Sequence, residues 1–178
     1  LEETNVVFVL DKDNNILEVN ETWDTFAQEN DGQGLTRPEV VNRNLFDFIH
    51  GDSTRMFVQV LLDYARILQN TLERDYRCDS DHLKRYMKMV IKPQPDGKIQ
   101  LENVTVRVEK MVRRVPFRPA SPGQHSHLRC SMCNNLKIRD QWMDPEEALR
   151  LGEVDSLDNP VTYTVCPSCY SSLTGNEA

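Results

Sequence analysis

Two pairs of cysteines, Cys130-x2-Cys133 and Cys166-x2-Cys169, stand 32 residues apart near the end of a 178-residue chain. Two short turns that each deliver two thiolates can place four sulfurs at the corners of a tetrahedron around one divalent ion, and their backbone amides can donate to the sulfurs. The intervening stretch is longer than the ~15–20 residues usual between such pairs. The excess reads as a helix: Asp144 caps it, Pro145 takes its first position, Glu147 lies three residues after the cap, Leu149 and Leu151 follow, and Gly152 stops it. A module this small has no large core and needs a staple. One structural zinc ion per chain, held by Cys130, Cys133, Cys166 and Cys169, is the expected cofactor, because four cysteines close the coordination shell where a catalytic zinc keeps a position open. Iron is the rival, suggested by Cys166-Pro167-Ser168-Cys169, although Asn134 and Tyr170 stand where tetrathiolate iron sites often carry glycine. Redox disulfides are a third reading, disfavoured in a reducing compartment.

The rest of the chain divides around this module. Residues 5–110 alternate apolar and polar runs with turn signals, 111–129 are basic and proline-rich, and 130–174 form the four-cysteine module. Pro116, Pro119 and Pro122 withhold backbone donors, so the middle stretch is expected to be an extended, exposed linker. With 39% hydrophobic and 28% charged residues the chain has the composition of a globular protein. No apolar run approaches the ~20 residues of a membrane span and no secretory pattern opens the chain, so a cytoplasmic, membrane-free protein is expected. The first residue is Leu1 rather than Met, which leaves open a tag, a processing step or an upstream region.

In residues 5–110 the runs 6–10 and 16–19 flank a turn cluster at 11–15 and read as a hairpin. Asn20 can cap a helix carrying Trp23, Phe26 and Ala27. After Leu45-Phe46-Asp47-Phe48-Ile49, Asp52 or Ser53 can cap a longer helix in which Phe57, Val60, Leu61, Tyr64 and Leu68 recur at the helical period. Strands are expected over 72–78, 86–92 and 98–108, with Pro93-Gln94-Pro95-Asp96-Gly97 turning between the last two. The order β-β-α-α-α-β-β-β is that of an α+β domain with helices on one face of an antiparallel sheet.

Residues 5–110 resemble a PAS domain. The likeness lies in Val9-Leu10-Asp11-Lys12-Asp13-Asn14-Asn15-Ile16-Leu17-Glu18-Val19-Asn20-Glu21-Thr22-Trp23, similar to the first strands and helix entry of bacterial PAS sensors, and in Asn44-Leu45-Phe46-Asp47-Phe48-Ile49-His50-Gly51-Asp52 before the long helix. The resemblance implies a five-stranded sheet in spatial order 2-1-5-4-3. Cys130-Ser131-Met132-Cys133, Trp142 and Val165-Cys166-Pro167-Ser168-Cys169-Tyr170 resemble a zinc-ribbon-like cysteine module attached to bacterial sensory proteins; Tyr76-Arg77-Cys78-Asp79-Ser80 and Leu83-Lys84-Arg85-Tyr86-Met87 resemble PAS proteins that carry one.

Together these features describe a non-enzymatic signalling protein in which a PAS-like domain senses a ligand or binds a protein. Trp23, Phe26, Phe46, Phe57, Met87 and Met89 are candidates to line a small-molecule site, with packed core as the plainer role. Tyr86, Lys88 and Val90 are candidates for a homodimer face, a surface PAS domains often use. Cys78, unpaired and near Arg77, Lys84 and Arg85, is either a redox-sensitive thiol or a buried one. His125 and His127 could join the metal site or merely face water. His50 precedes the long helix, where some PAS sensors place haem ligands, and His82 reads as a solvent-facing hairpin residue. Leu45 in Asn42-Arg43-Asn44-Leu45 stands where flavin-binding LOV domains carry their reactive cysteine, which argues against a flavin photosensor. Asp11 and Asp13 lack the later ligands of a calcium loop. No phosphate loop, nucleophile elbow or His-Glu-x-x-His motif is present.

The net charge of −7 opposes general nucleic-acid binding, yet residues 77–118 hold eleven Lys and Arg against five acids. That local excess keeps a nucleic-acid-binding regulator as the alternative reading, in which the basic segment and zinc module form a contact face.

Overall fold

The computed structural model describes residues 5–29, 32–80 and 83–171. The chain divides into two units, one of Leu1–Ile49, Val58–Tyr76 and Tyr86–Arg107, the other of His50–Phe57, Arg77–Arg85 and Val108–Ala178.

The first unit is built on a five-stranded antiparallel sheet in the order β2-β1-β5-β4-β3, the order implied by the resemblance. Its strands are β1 (Asn5–Leu10), β2 (Ile16–Val19), β3 (Leu72–Arg77), β4 (Leu83–Pro93) and β5 (Ile99–Lys110). Asp11 makes the first hairpin possible: its carboxylate accepts from the backbone N–H of Asp13 and Asn15, and Asn14 takes the positive φ that asparagine tolerates. Between β2 and β3 lie α1 (Thr22–Glu29), α2 (Arg37–Val40), a 3-10 turn over Leu45–Phe48 and α3 (Asp52–Leu68). Thr36 and Glu39 form a capping box at α2, and Asn44 accepts from Phe46 N–H at the 3-10 turn.

Packing corrects one expectation. Phe57, Val58, Leu61, Leu62 and Ala65 are the buried apolar residues of α3, whereas Val60, Tyr64 and Leu68 are 40%, 52% and 45% exposed. Apolar residues surround much of this helix, so its period alone does not choose between adjoining stripes. Arg66 anchors this unit from inside: its guanidinium donates to Gly97 O at 2.9 Å, Asp11 O at 3.0 Å and Asn14 Oδ1 at 2.7 Å, tying two hairpin turns to one helix.

The second unit carries its own sheet in the order β6-β10-β7-β8-β9. Its strands are β6 (Phe117–Pro119), β7 (His127–Cys130), β8 (Leu136–Ile138), β9 (Gln141–Met143) and β10 (Asn159–Thr164), with α4 (Pro145–Arg150) and α5 (Pro167–Ser171). Strand β10 runs parallel to β6 and β7, and β7, β8 and β9 are joined antiparallel. The core gathers Val115, Leu136, Ile138, Ala148, Val154 and Val161, with Phe117, Met143, Leu149 and Tyr163 packed against it. The expectation of exposure over 111–129 therefore fails at Val115, which is 5% exposed, and at Phe117. Proline is tolerated in β6 because that strand is at an edge and needs donors on one side only. Asp144 caps α4 by accepting from Glu146 N–H at 2.9 Å, and Gly152 follows with φ +72°. Among the described residues no helix is long and apolar enough to cross a membrane.

Candidate metal centre

The first cysteine pair sits on the turn between β7 and β8, and the second on the entry to α5. The four Sγ atoms of Cys130, Cys133, Cys166 and Cys169 lie within 4.8 Å of one another. Cys133 Sγ and Cys166 Sγ are 3.8 Å apart, too far for a disulfide and equal to the ~3.8 Å edge of a tetrahedron with metal–sulfur bonds of ~2.3 Å. Cys130 Sγ accepts from Met132 N–H at 3.4 Å and from Cys166 N–H at 3.3 Å, so the backbone of both pairs orients one sulfur. Asn134 completes the first turn with φ 61°, where an iron site often has glycine; its amide donates to Arg77 O at 3.3 Å. Asparagine tolerates this left-handed conformation, so the turn forms without glycine.

The thiols of the cluster act on one another's ionisation. Hydrogen bonds from Cys133 and Cys169 draw the Cys130 thiol far down. The Cys130 partner pushes Cys133 up to about 12, and Cys130 and Cys133 together drive Cys169 upward as well. One thiolate suppresses ionisation of its neighbours. A soft, four-coordinate divalent ion fits the donor set of four sulfurs. Neither His125 nor His127 belongs to this ligand group.

Beside the cluster lies an ion network that no local motif announces. Arg77 donates to Asp79 at 3.2 Å and to Asp144 at 2.8 Å; Lys84 reaches Asp144 at 3.0 Å and Glu146 at 2.7 Å. Burial pushes the Asp144 carboxyl up, but the bonds from Arg77 and Lys84 outweigh it and hold that group below its ordinary value. The network also answers the basic segment. Lys88 pairs with Glu73, Lys92 with Glu102 and Arg118 with Asp158, while Arg107 lies 4.0 Å over the Tyr86 ring. Several of the cations of 77–118 thus have partners within the protein.

The other candidates are placed as follows. Phe57 and Met87 are 1% exposed, Trp23, Phe26, Phe46 and Met89 are half-buried, and Phe57 is grouped with the second unit and the other five with the first. Trp23 stacks edge-on against Phe8 at 5.5 Å and donates to Leu35 O. Of the suggested dimer face, Tyr86 carries Arg107, Lys88 is engaged by Glu73, and Val90 is only 9% exposed. For Cys78, burial raises the thiol above its ordinary value against the pull of Arg85 and Arg129, which favours the buried reading over the redox-sensitive one. His50 stacks on Tyr163 at 6.3 Å. His82 lies outside the described residues.

No curated protein is similar enough to this chain to match it. Among solved structures, the PAS domain of the RpfR quorum-sensing receptor of Cronobacter turicensis in complex with BDSF is 16% identical, with a TM-score of 0.45, covering 60% of this chain and 98% of that one. A domain of an HTR-like protein from Haloarcula marismortui is 15% identical, with a TM-score of 0.42 and coverage of 58% and 99%. A domain of a sensory box sensor histidine kinase/response regulator from Geobacter sulfurreducens is 16% identical, with a TM-score of 0.40 and coverage of 56% and 82%. Residues 3–108 match the family described as PAS fold, and the chain belongs to that family.

Proposed function

We propose that the chain is a non-enzymatic signalling module: a PAS domain that receives an input by binding a small ligand or a protein, followed by a cysteine module held by one structural zinc ion. The division into a sensor over 5–110, a connecting stretch over 111–129 and a metal module over 130–174 is part of this reading. Membership of the PAS family supports the sensory half. The observation that carries the zinc half is the gathering of four sulfurs within 4.8 Å, with a 3.8 Å separation that suits a tetrathiolate. A closed shell of four thiolates offers no coordination position to a substrate, which favours a structural role over a Lewis acid.

The test is elemental analysis and a visible spectrum of protein purified without added metal. One zinc per chain and a colourless solution are expected. An iron spectrum replaces zinc with an electron-transfer centre. A metal-free chain that is fully folded, or thiols bridged in pairs, overturns the structural-metal reading and leaves the PAS half standing alone.

A further inference from the structure

The C-terminal half of α3 carries two apolar stripes, and only one of them is covered. Leu61, Leu62 and Ala65 belong to the core and are at most 1% exposed. Val60, Tyr64, Ile67 and Leu68 recur at i, i+4, i+7 and i+8, the spacing of a helix face that packs against another element, yet they stand in water, Ile67 being 76% exposed. The steps from 60 to 64 and from 64 to 67 alternate four and three residues, which is the seam along which one helix packs on another.

The size of the face is that of an interface. At full accessible areas of roughly 150–250 Å2 for such residues, the exposed fractions of these four leave about 400 Å2 of apolar side chain in water. Taken as the ~65% apolar share of a homodimer interface, that area corresponds to about 600 Å2 per copy and about 1,200 Å2 for the pair, the size at which specific, stable protein contacts begin.

Charge selects the occupant. Between Val60 and Leu68 the charged residues are Asp63 and Arg66, which pair at 3.5 Å, and Asp63 also accepts from Gln59 at 2.8 Å. Arg66 is further held by Gly97 O, Asp11 O and Asn14 Oδ1. Along this stretch no charge is left uncommitted, so the seam offers nothing to attract a strongly acidic or basic partner. It also lacks the row of Lys and Arg that a helix lying in a membrane surface presents to headgroups. An identical surface suits it best, because a two-fold contact sets two copies of one patch together and doubles any charge left unbalanced there. We infer that α3 is a homodimer contact, in which the seam of Val60, Tyr64 and Ile67 packs on the same seam of a second copy of the chain. This contact uses a helix rather than the Tyr86, Lys88 and Val90 strand, and it depends neither on a ligand nor on what fills the cysteine cluster.

Sedimentation velocity of the full chain, carrying the metal it retains on purification, is run from about 1 to 200 µM. A monomer–dimer equilibrium in the micromolar range is expected. Ile67→Glu, at an exposed position, should weaken it by about thirtyfold or more with an unchanged far-UV spectrum, and Lys88→Glu on the sheet should leave it as it was. A monomer throughout, a dimer that Ile67→Glu leaves intact, or a monomer that instead binds phosphatidylcholine vesicles through this face overturns the contact. A second measurement needs no variant: hydroxyl-radical labelling of the Tyr64 ring should fall as the unmutated chain is concentrated through the transition, while that of Tyr170, exposed in the second unit, stays constant. Labelling of Tyr64 that is independent of concentration overturns the proposal.

Discussion

The guanidinium of Arg77, at the end of β3, donates at 2.8 Å to the carboxylate of Asp144, the residue that caps α4. Asp144 therefore serves two structures at once, accepting from Glu146 N–H and from Arg77, with Lys84 as a further partner. Arg77 also holds Asp79, whose side chain is 3% exposed, so truncating it leaves Asp79 without its cation and Asp144 with Lys84 alone. Arg77→Ala is expected to destabilise the second unit by about 3 kcal/mol, the scale for breaking a largely buried pair.

The same carboxylates predict an acid limb. The Asp144 and Glu146 pKa values are lowered in the folded chain, so the stability they contribute is full above their unfolded values near ~4 and is lost as pH falls through the lower folded values. The stability difference between the unmutated chain and Asp144→Asn, measured by urea unfolding, should therefore be large at pH 7 and shrink steadily below about pH 4. A difference independent of pH would show that the cap alone, not the ion pair, carries the effect.

Metal removal should act on one half of the molecule. The two tryptophans divide between the units, Trp23 on α1 in the first and Trp142 on β9 in the second. In single-tryptophan variants, a strong chelator or Cys133→Ser is expected to change Trp142 fluorescence and leave Trp23 unchanged. Structural zinc contributes on the order of 10 kcal/mol to the fold it closes, so the second unit should unfold rather than merely loosen. Cys78→Ala, outside the cluster, should leave the metal content as it was.

Where the signal was local, the fold was legible. The turn chemistry of Asp11 and Asn15, the cap at Asp144 with Pro145, and the stop at Gly152 each lie within a few residues, and each appears where the spacing placed it. The cysteine pairs are also local, and any single turn that brings two sulfurs together limits where the other two can be. What escaped was partner choice over distance. Arg77 and Asp144 are 67 positions apart and carry no mutual pattern, so the sequence shows the excess of cations over 77–118 but not that several of them face acids of the same chain. The α3 stripe was misjudged for a related reason: Val60 is as apolar as Val58, and only the neighbouring elements decide which is covered.

Arg66 tests whether the first unit depends on a half-buried cation. Its guanidinium satisfies Gly97 O, Asp11 O and Asn14 Oδ1, and Asn14 is itself 7% exposed. Arg66→Ala should cost about 2–4 kcal/mol by leaving these acceptors unpaired. Arg66→Lys should recover little of it, because a single ammonium cannot reproduce the fork that spans two turns. Equal stability of the lysine variant and the unmutated chain would show that charge alone, rather than planar geometry, holds the hairpins.

Gly51 makes the most stringent packing prediction. It has φ +85°, and a Cβ added there would lie 2.6 Å from Tyr163 O, a backbone atom of β10. Two costs coincide: a left-handed conformation that alanine adopts only with strain, and a clash that no side-chain rotation relieves. Next to it, His50 stacks on the Tyr163 ring, so displacement of β10 would also open that contact. Gly51→Ala is expected to lower stability by about 2–4 kcal/mol, beyond the ~1 kcal/mol of φ strain alone. Because β10 leads directly into Cys166, the same variant should release its metal to a chelator faster than the unmutated chain does. A Gly51→Ala chain with unchanged stability and unchanged metal release would show that the approach of residue 51 to β10 does not constrain the second cysteine pair.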